Sequence, residues 1–96
     1  MAVGELLAAL ADDTRRQILQ KLREGKISSG DLAVALHMTP QALSYHLAKL
    51  KRADLIYETR SGNFIFYEPN LSVLDEIILW IDRLREGDYE EEENPV

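Results

Sequence analysis

Apolar residues recur along this 96-residue chain with two different periods. Val3, Leu6, Leu7 and Leu10 fall three or four apart and predict a first helix over Val3–Ala11. Asp12-Asp13-Thr14 then offers N-cap residues and first-turn acid for a second helix, whose inward positions are Ile18, Leu19 and Leu22. Gly25 fits the position just past its end. Ser28, with Asp31 three residues on, resembles a capping box and opens a short third helix that carries Leu32, Ala35 and Leu36 and ends near His37. Thr39 can cap a fourth helix, and Pro40 suits its first position, where no backbone N–H is needed. That helix runs to about Ala53, with Leu43, Leu47 and Leu50 on one face and His46 and Ala53 at its edge. Gln41, Tyr45, Ala48 and Arg52 lie opposite, flanked by Ser44 and Lys49.

The period then changes. Leu55–Thr59 and Phe64–Tyr67 are rich in aromatic and β-branched residues, and Arg60-Ser61-Gly62-Asn63 lies between them, which predicts a β-hairpin. Asn70 or Ser72 caps a last helix, ended by Gly87. Its apolar residues Val73, Leu74, Ile77, Ile78, Trp80, Ile81 and Leu84 cover more than the ~100° stripe of an ordinary surface helix. The order α-α-α-α-β-β-α is mainly α. A tight helical pair followed by a hairpin makes a winged helix-turn-helix.

That fold gives the fourth helix a testable chemistry. A helix that enters the major groove needs an apolar inner face and an outer face free of acid, because phosphates repel carboxylates. From Met38 to Ala53 there is no acid, and Arg60 stands at the hairpin tip. The Gln41 amide, in the first turn, can bond adenine N6 and N7. Ser44 and Tyr45 are the next outward residues, able to meet a base edge or phosphate. Thr39 can cap the helix while touching phosphate, Lys49 and Arg52 are phosphate candidates, with Lys51 beside them, and Arg60 can meet backbone or minor groove. His46 is expected between the recognition helix and the wing, or on a phosphate. Arg15 and Arg16 face either DNA or solvent.

Net charge first argues the other way. Eleven bases against seventeen acids leave -6. Asp88–Val96 alone carries five acids and no base, and is read as an acidic disordered tail following a DNA-binding and dimerisation domain over residues 1–87. Residues 14–67 hold nine bases against four acids, and residues 38–67 hold four against two. The global charge therefore says little, and the local balance favours a polyanion.

The absence of cysteine removes disulfides, thiolate metal sites and Cys nucleophiles. The longest apolar run, Ile77–Ile81, is far short of a membrane span, and no secretion signal opens the chain, so a cytoplasmic product is expected. No phosphate-binding Gly loop, Ser-His-Asp arrangement or His-Glu-x-x-His helix is present, so no enzymatic activity is expected.

Three stretches together resemble the ArsR/SmtB family of repressors. They are Leu10-Ala11-Asp12-Asp13-Thr14-Arg15-Arg16-Gln17-Ile18-Leu19; Ser44-Tyr45-His46-Leu47-Ala48-Lys49-Leu50 followed by Ala53 and Leu55-Ile56; and Arg60-Ser61-Gly62 through Tyr67. The resemblance spans roughly residues 5–85 and is closest to the SdpR-like autorepressor subgroup, although Asp13 stands where proline is common. It implies a homodimer on an inverted-repeat operator that blocks transcription, paired through the first and last helices. Val3, Leu6, Leu7, Leu10, Ile77, Trp80, Ile81 and Leu84 are the interface candidates, and the wide apolar face of the last helix supports them independently. Metal-sensing relatives use Cys in the third helix or His with acids in the last. Here the third helix reads Asp31-Leu32-Ala33-Val34-Ala35 and the last offers Asp75, Glu76 and Asp82 without imidazole, so neither a metal sensor nor a cofactor is expected, a weak carboxylate site aside. The subgroup also implies control by a membrane-protein anti-repressor. The alternative is a winged-helix protein-interaction module without DNA binding, which would have no reason to keep an acid-free outer face.

Overall fold

The computed structural model describes residues 2–87; the acidic tail expected over Asp88–Val96 lies outside the described residues. Five helices and three strands follow in the order α1 (Val3–Leu10), α2 (Asp13–Leu22), β1 (Ile27–Ser28), α3 (Ser29–Ala35), α4 (Pro40–Arg52), β2 (Ile56–Ser61), β3 (Phe64–Pro69) and α5 (Leu71–Glu86).

Local chemistry starts three of the helices. Asp12 Oδ2 accepts from the Arg15 N–H at 3.0 Å, Ser28 Oγ from Asp31 N–H at 3.2 Å, and Thr39 Oγ1 from Ala42 N–H at 3.1 Å. Each satisfies a donor that the first helical turn leaves without a partner. Asn70 stands at the N-cap of α5, but its side chain does not cap it. Its amide Nδ2 donates instead to Asp54 O at 2.8 Å, taking up a carbonyl just past the end of α4.

Helices α3 and α4 end alike. His37 (φ 55°) and Asp54 (φ 59°) take the left-handed conformation. Met38 N–H bonds Ala33 O and His37 N–H bonds Val34 O after α3, and Leu55 N–H bonds Leu50 O and Asp54 N–H bonds Lys51 O after α4. This double bond pattern closes the last carbonyls and turns the chain sharply. Glycine usually fills the left-handed place. His and Asp are among the few other residues that tolerate it. Gly25 sits one residue later than expected, with φ 145°, and leads into an extended segment.

That segment corrects the two-stranded hairpin expected from the sequence. Ile27 and Ser28 pair with Tyr67 and Phe66, so the sheet has three antiparallel strands in the order β1-β3-β2. The added strand satisfies backbone groups that would otherwise lie unpaired beside the free edge of β3. The hairpin turn is also tighter than expected. Ser61 pairs with Phe64, leaving Gly62-Asn63 as the turn, and Gly62 supplies its positive φ of 63°.

The core gathers one face of every helix. Leu6 and Ala9 of α1 meet Ile18 and Leu22 of α2, Leu32 of α3, and Leu43, Leu47 and Leu50 of α4, while Leu55, Ile56 and Tyr67 close it from the sheet. Only the N-terminal half of α5 joins, through Val73, Leu74 and Ile77. Beyond Ile77, all of α5 except half-buried Trp80 is exposed.

Candidate nucleic-acid interface

Helix α4 is positioned by what flanks it. Four residues, Leu36-His37-Met38-Thr39, separate it from α3: the left-handed His37 makes the turn and Thr39 restarts the helix. Buried Leu43, Leu47 and Leu50 seat its inner face. Gln41, Ser44, Tyr45, Ala48 and Arg52 are exposed, and Lys49 is half-buried. The expected outward face is therefore the outward face. Thr39 uses its oxygen as the cap, and its hydroxyl proton stays available to a phosphate. The Lys49 ammonium lies 5.0 Å from the centre of the Tyr45 ring, where the π face attracts it.

His46 takes a different place from the one expected beside the wing. Its ring Nδ1 accepts from Arg15 Nη1 at 3.2 Å and lies 3.9 Å from Asp12 Oδ2, so it faces the α1–α2 corner. With Nδ1 accepting, the neutral ring carries its proton on Nε2, and that atom is the one left to serve as a donor. Its ring edge meets Tyr45 at 5.1 Å between centroids, so His46 also backs an outward residue.

Arg15 is the residue whose role the sequence did not reveal. Its Nε donates to Ala9 O at 2.7 Å and its Nη2 to Ala8 O at 3.2 Å, while Nη1 holds His46. One planar guanidinium thus ties the end of α1, the start of α2 and the middle of α4. Asp12 completes the corner, and the Arg15 backbone N–H holds its carboxyl below the usual carboxylate value. Arg16 is likewise engaged, with Leu10 O and Asp13. The bonds of Arg15 would have been visible only once the carbonyls of α1 were known to approach α2.

A second cluster ties α4 to the wing. Lys51 Nζ donates to Glu58 Oε1 at 2.6 Å. The bond raises the Lys51 value and lowers that of Glu58. Glu58 pairs across the hairpin with Tyr67, whose hydroxyl is pushed up by burial and then by the Glu58 charge. Lys51 is therefore occupied at the wing base. Arg60 is exposed near the tip and, among the described residues, is held in no ion pair. Tyr57 and Phe64 are also exposed on the wing (54% and 62%), two aromatic surfaces the sequence reading left aside.

The interface candidates divide. Val3, Leu6 and Ile77 are buried within the protomer and Leu10 is half-buried against the core, so these four support the surface from beneath. Leu7, Ile81 and Leu84 remain exposed, Trp80 is half-buried, and exposed Ile78 extends the apolar face. Among the described residues, no group of three or more His, Asp or Glu side chains could hold a metal ion, and no helix is long and apolar enough to cross a membrane.

The model of the bacterial regulatory proteins of the arsR family matches residues 12–58, from the α2 cap to β2. The transcriptional repressor SdpR of Bacillus subtilis is 36% identical over 87 residues, covering 90% of this chain and 97% of that one. The transcriptional activator HlyU of Vibrio cholerae is 34% identical over 79 residues, 82% of this chain and 73% of that one. Its solved structure superposes with a TM-score of 0.70 at 35% identity, over 85% of this chain and 89% of that one. An ArsR-like regulator from Rhodococcus superposes with a TM-score of 0.82 at 28% identity, over 88% and 79%.

Proposed function

This chain belongs to the ArsR family of bacterial regulatory proteins, and from that membership we propose how its own residues read DNA. It is a winged helix-turn-helix DNA-binding transcriptional regulator, and its relatives are regulators and not enzymes. The proposed form is a homodimeric repressor acting on an inverted repeat, including one at its own promoter.

The observation that carries this reading is the face of α4: exposed Gln41, Ser44, Tyr45 and Arg52, no acid from Pro40 to Arg52, and exposed Arg60 on the adjacent wing. Gln41 and Ser44 address base edges near the helix N-terminus, where a recognition helix meets the groove. Thr39, Lys49, Arg52 and the Nε2 side of His46 address phosphates, and Arg60 meets backbone or minor groove. The Arg15 corner holds the angle of α4 against the body, and the Lys51–Glu58 pair holds the wing at the C-terminal end of α4. A rigid body matters here, because two half-sites must be met at once, about 34–36 Å apart.

Pairing is proposed through α5 and α1. Ile78, Ile81 and Leu84, with Leu7 of α1, leave an apolar surface beyond the reach of the protomer's core. A second copy covers such a surface by two-fold symmetry. The interaction-module alternative explains neither the acid-free face nor the regulatory relatives.

The experiment is a mobility shift of the full chain on the DNA upstream of its own gene, at several salt concentrations. The expected result is a shifted complex on that DNA and not on scrambled duplex, with affinity falling steeply as salt rises. Equal binding to both duplexes, or affinity flat between low and moderate salt, would overturn the reading.

A further inference from the structure

A half-open pocket of about 120 Å³ lies between α1 and the C-terminal half of α4, lined by Glu5, Ala8, Ala9, Arg15, Lys49 and Arg52. That is the share of roughly four waters at ~30 Å³ each, enough for a tetrahedral oxyanion. We propose that it is a binding site for a phosphate-type oxyanion, inorganic phosphate or the end of a small phosphate ester.

Arg15, Lys49 and Arg52 line this space against one carboxylate, Glu5, and among the described residues none of the four is held in an ion pair. Arg15 is already oriented. Its bonds to Ala9 O, Ala8 O and His46 use three of five guanidinium N–H donors, and among the described residues the other two have no partner. A fixed guanidinium loses little freedom when it binds, and its planar fork suits a phosphate. Lys49 and Arg52 sit one helical turn apart on the opposite wall, and the ammonium of Lys49 rests on a ring that it can leave for an anion. The mouth also stays clear of the proposed dimer face. At 100° per residue, Ala8 and Glu5 lie 100° and 160° around α1 from exposed Leu7.

The site has a consequence for DNA. Lys49 and Arg52 are proposed phosphate contacts of α4, so an oxyanion held between them and Arg15 competes for the charges that hold the duplex. Only this consequence rests on the DNA-reading role; the site itself does not. The same chemistry could come from a free phosphate or from a backbone phosphodiester.

The test is a titration of the full, DNA-free chain with inorganic phosphate, followed by amide chemical shifts, with ionic strength held constant by chloride. Saturable shifts centred on Glu5, Ala8, Ala9, Arg15, Lys49 and Arg52 are expected. Glu5→Gln, which removes the one opposing charge from an exposed position, should tighten binding about two- to fivefold, the usual worth of an exposed charge pair. Arg52→Gln should weaken it by a similar factor. Repeating the titration on the DNA complex separates the sources. Phosphate binding that weakens as duplex is added marks residues shared with the DNA backbone, and unchanged binding marks a free-phosphate site apart from the duplex and overturns the competition for Lys49 and Arg52. Shifts that rise linearly and spread over all basic residues, or an affinity indifferent to Glu5→Gln, would overturn the site while leaving the mobility-shift result intact.

Discussion

Arg15→Met removes the guanidinium that joins α1, α2 and α4 and keeps most of the aliphatic stem. Three side-chain hydrogen bonds disappear, to Ala9 O, Ala8 O and His46 Nδ1. Bonds to a charged group contribute ~1.5–3 kcal/mol each when well buried, and ordinary ones ~1 kcal/mol. Arg15 is half-buried, and water can replace the exposed contact to Ala8 O, so the lower figure applies to each. The expected loss is then about 2–3 kcal/mol. For a domain of this size each kcal/mol moves Tm by ~4–8 °C, so the melting point should fall by roughly 10–20 °C. The assay is thermal and urea unfolding followed by circular dichroism, at one fixed protein concentration because a dimer's stability depends on it. Arg15→Lys serves as the comparison. It keeps the charge but has no planar fork, so it should recover less than half of the loss. A loss below about 0.5 kcal/mol for Arg15→Met would refute the corner as a joint.

Other outcomes follow from the same residues. Gln41→Ala should relax base preference at one position of each half-site, costing ~1–3 kcal/mol on the preferred duplex and little on mismatched ones; uniform weakening in competition assays would make Gln41 a positioning residue. Leu84→Glu puts a charge on an exposed position, so the chain should stay folded but sediment as a monomer, and an unchanged dimer would place the interface elsewhere. Acid should destabilise the fold through Glu58 and Asp12, whose carboxyls lie below their ordinary 4.5 and 3.8 because of Lys51 and the Arg15 N–H. A depressed carboxyl contributes stability above its unfolded value and loses it as pH falls through the folded one. The part of the urea midpoint that rests on these two carboxyls should therefore be lost as pH falls below about 5. Replacing Glu58 by Gln should reduce that fall, and an identical pH profile would remove Glu58 as a cause.

Local signals carried most of this fold. Ser28, Thr39 and Asp12 cap their helices through bonds that span three residues, so sequence neighbours suffice to see them. The inward face of α4 and the glycine-led turn at Gly62 were equally legible. What was hidden depends on distant parts of the chain. The two residues of β1 have too little length for a period and become a strand only because Tyr67 and Phe66 lie beside them. His37 reads as an ordinary helix end until the turn to Met38 requires a left-handed residue. His46, at the edge of the apolar face, was expected between α4 and the wing or on a phosphate; the guanidinium of Arg15, 31 positions away, holds it at the α1–α2 corner. Lys51 looked like a free cation until Glu58, seven residues on, came within bonding distance. Val3, Leu6 and Ile77 looked equivalent to Leu7 and Ile81, since periodicity reveals an apolar face but not which part of it the protomer itself covers.

In the proposed repressor, two copies present α4 to two half-sites of one duplex. Selection of bound sequences from a pool of random duplexes tests it most directly. The expected outcome is enrichment of an inverted repeat whose half-site centres lie one helical turn apart, about 10–10.5 base pairs, or a multiple of it. Enrichment of a lone half-site, or no enrichment over the starting pool, would contradict it.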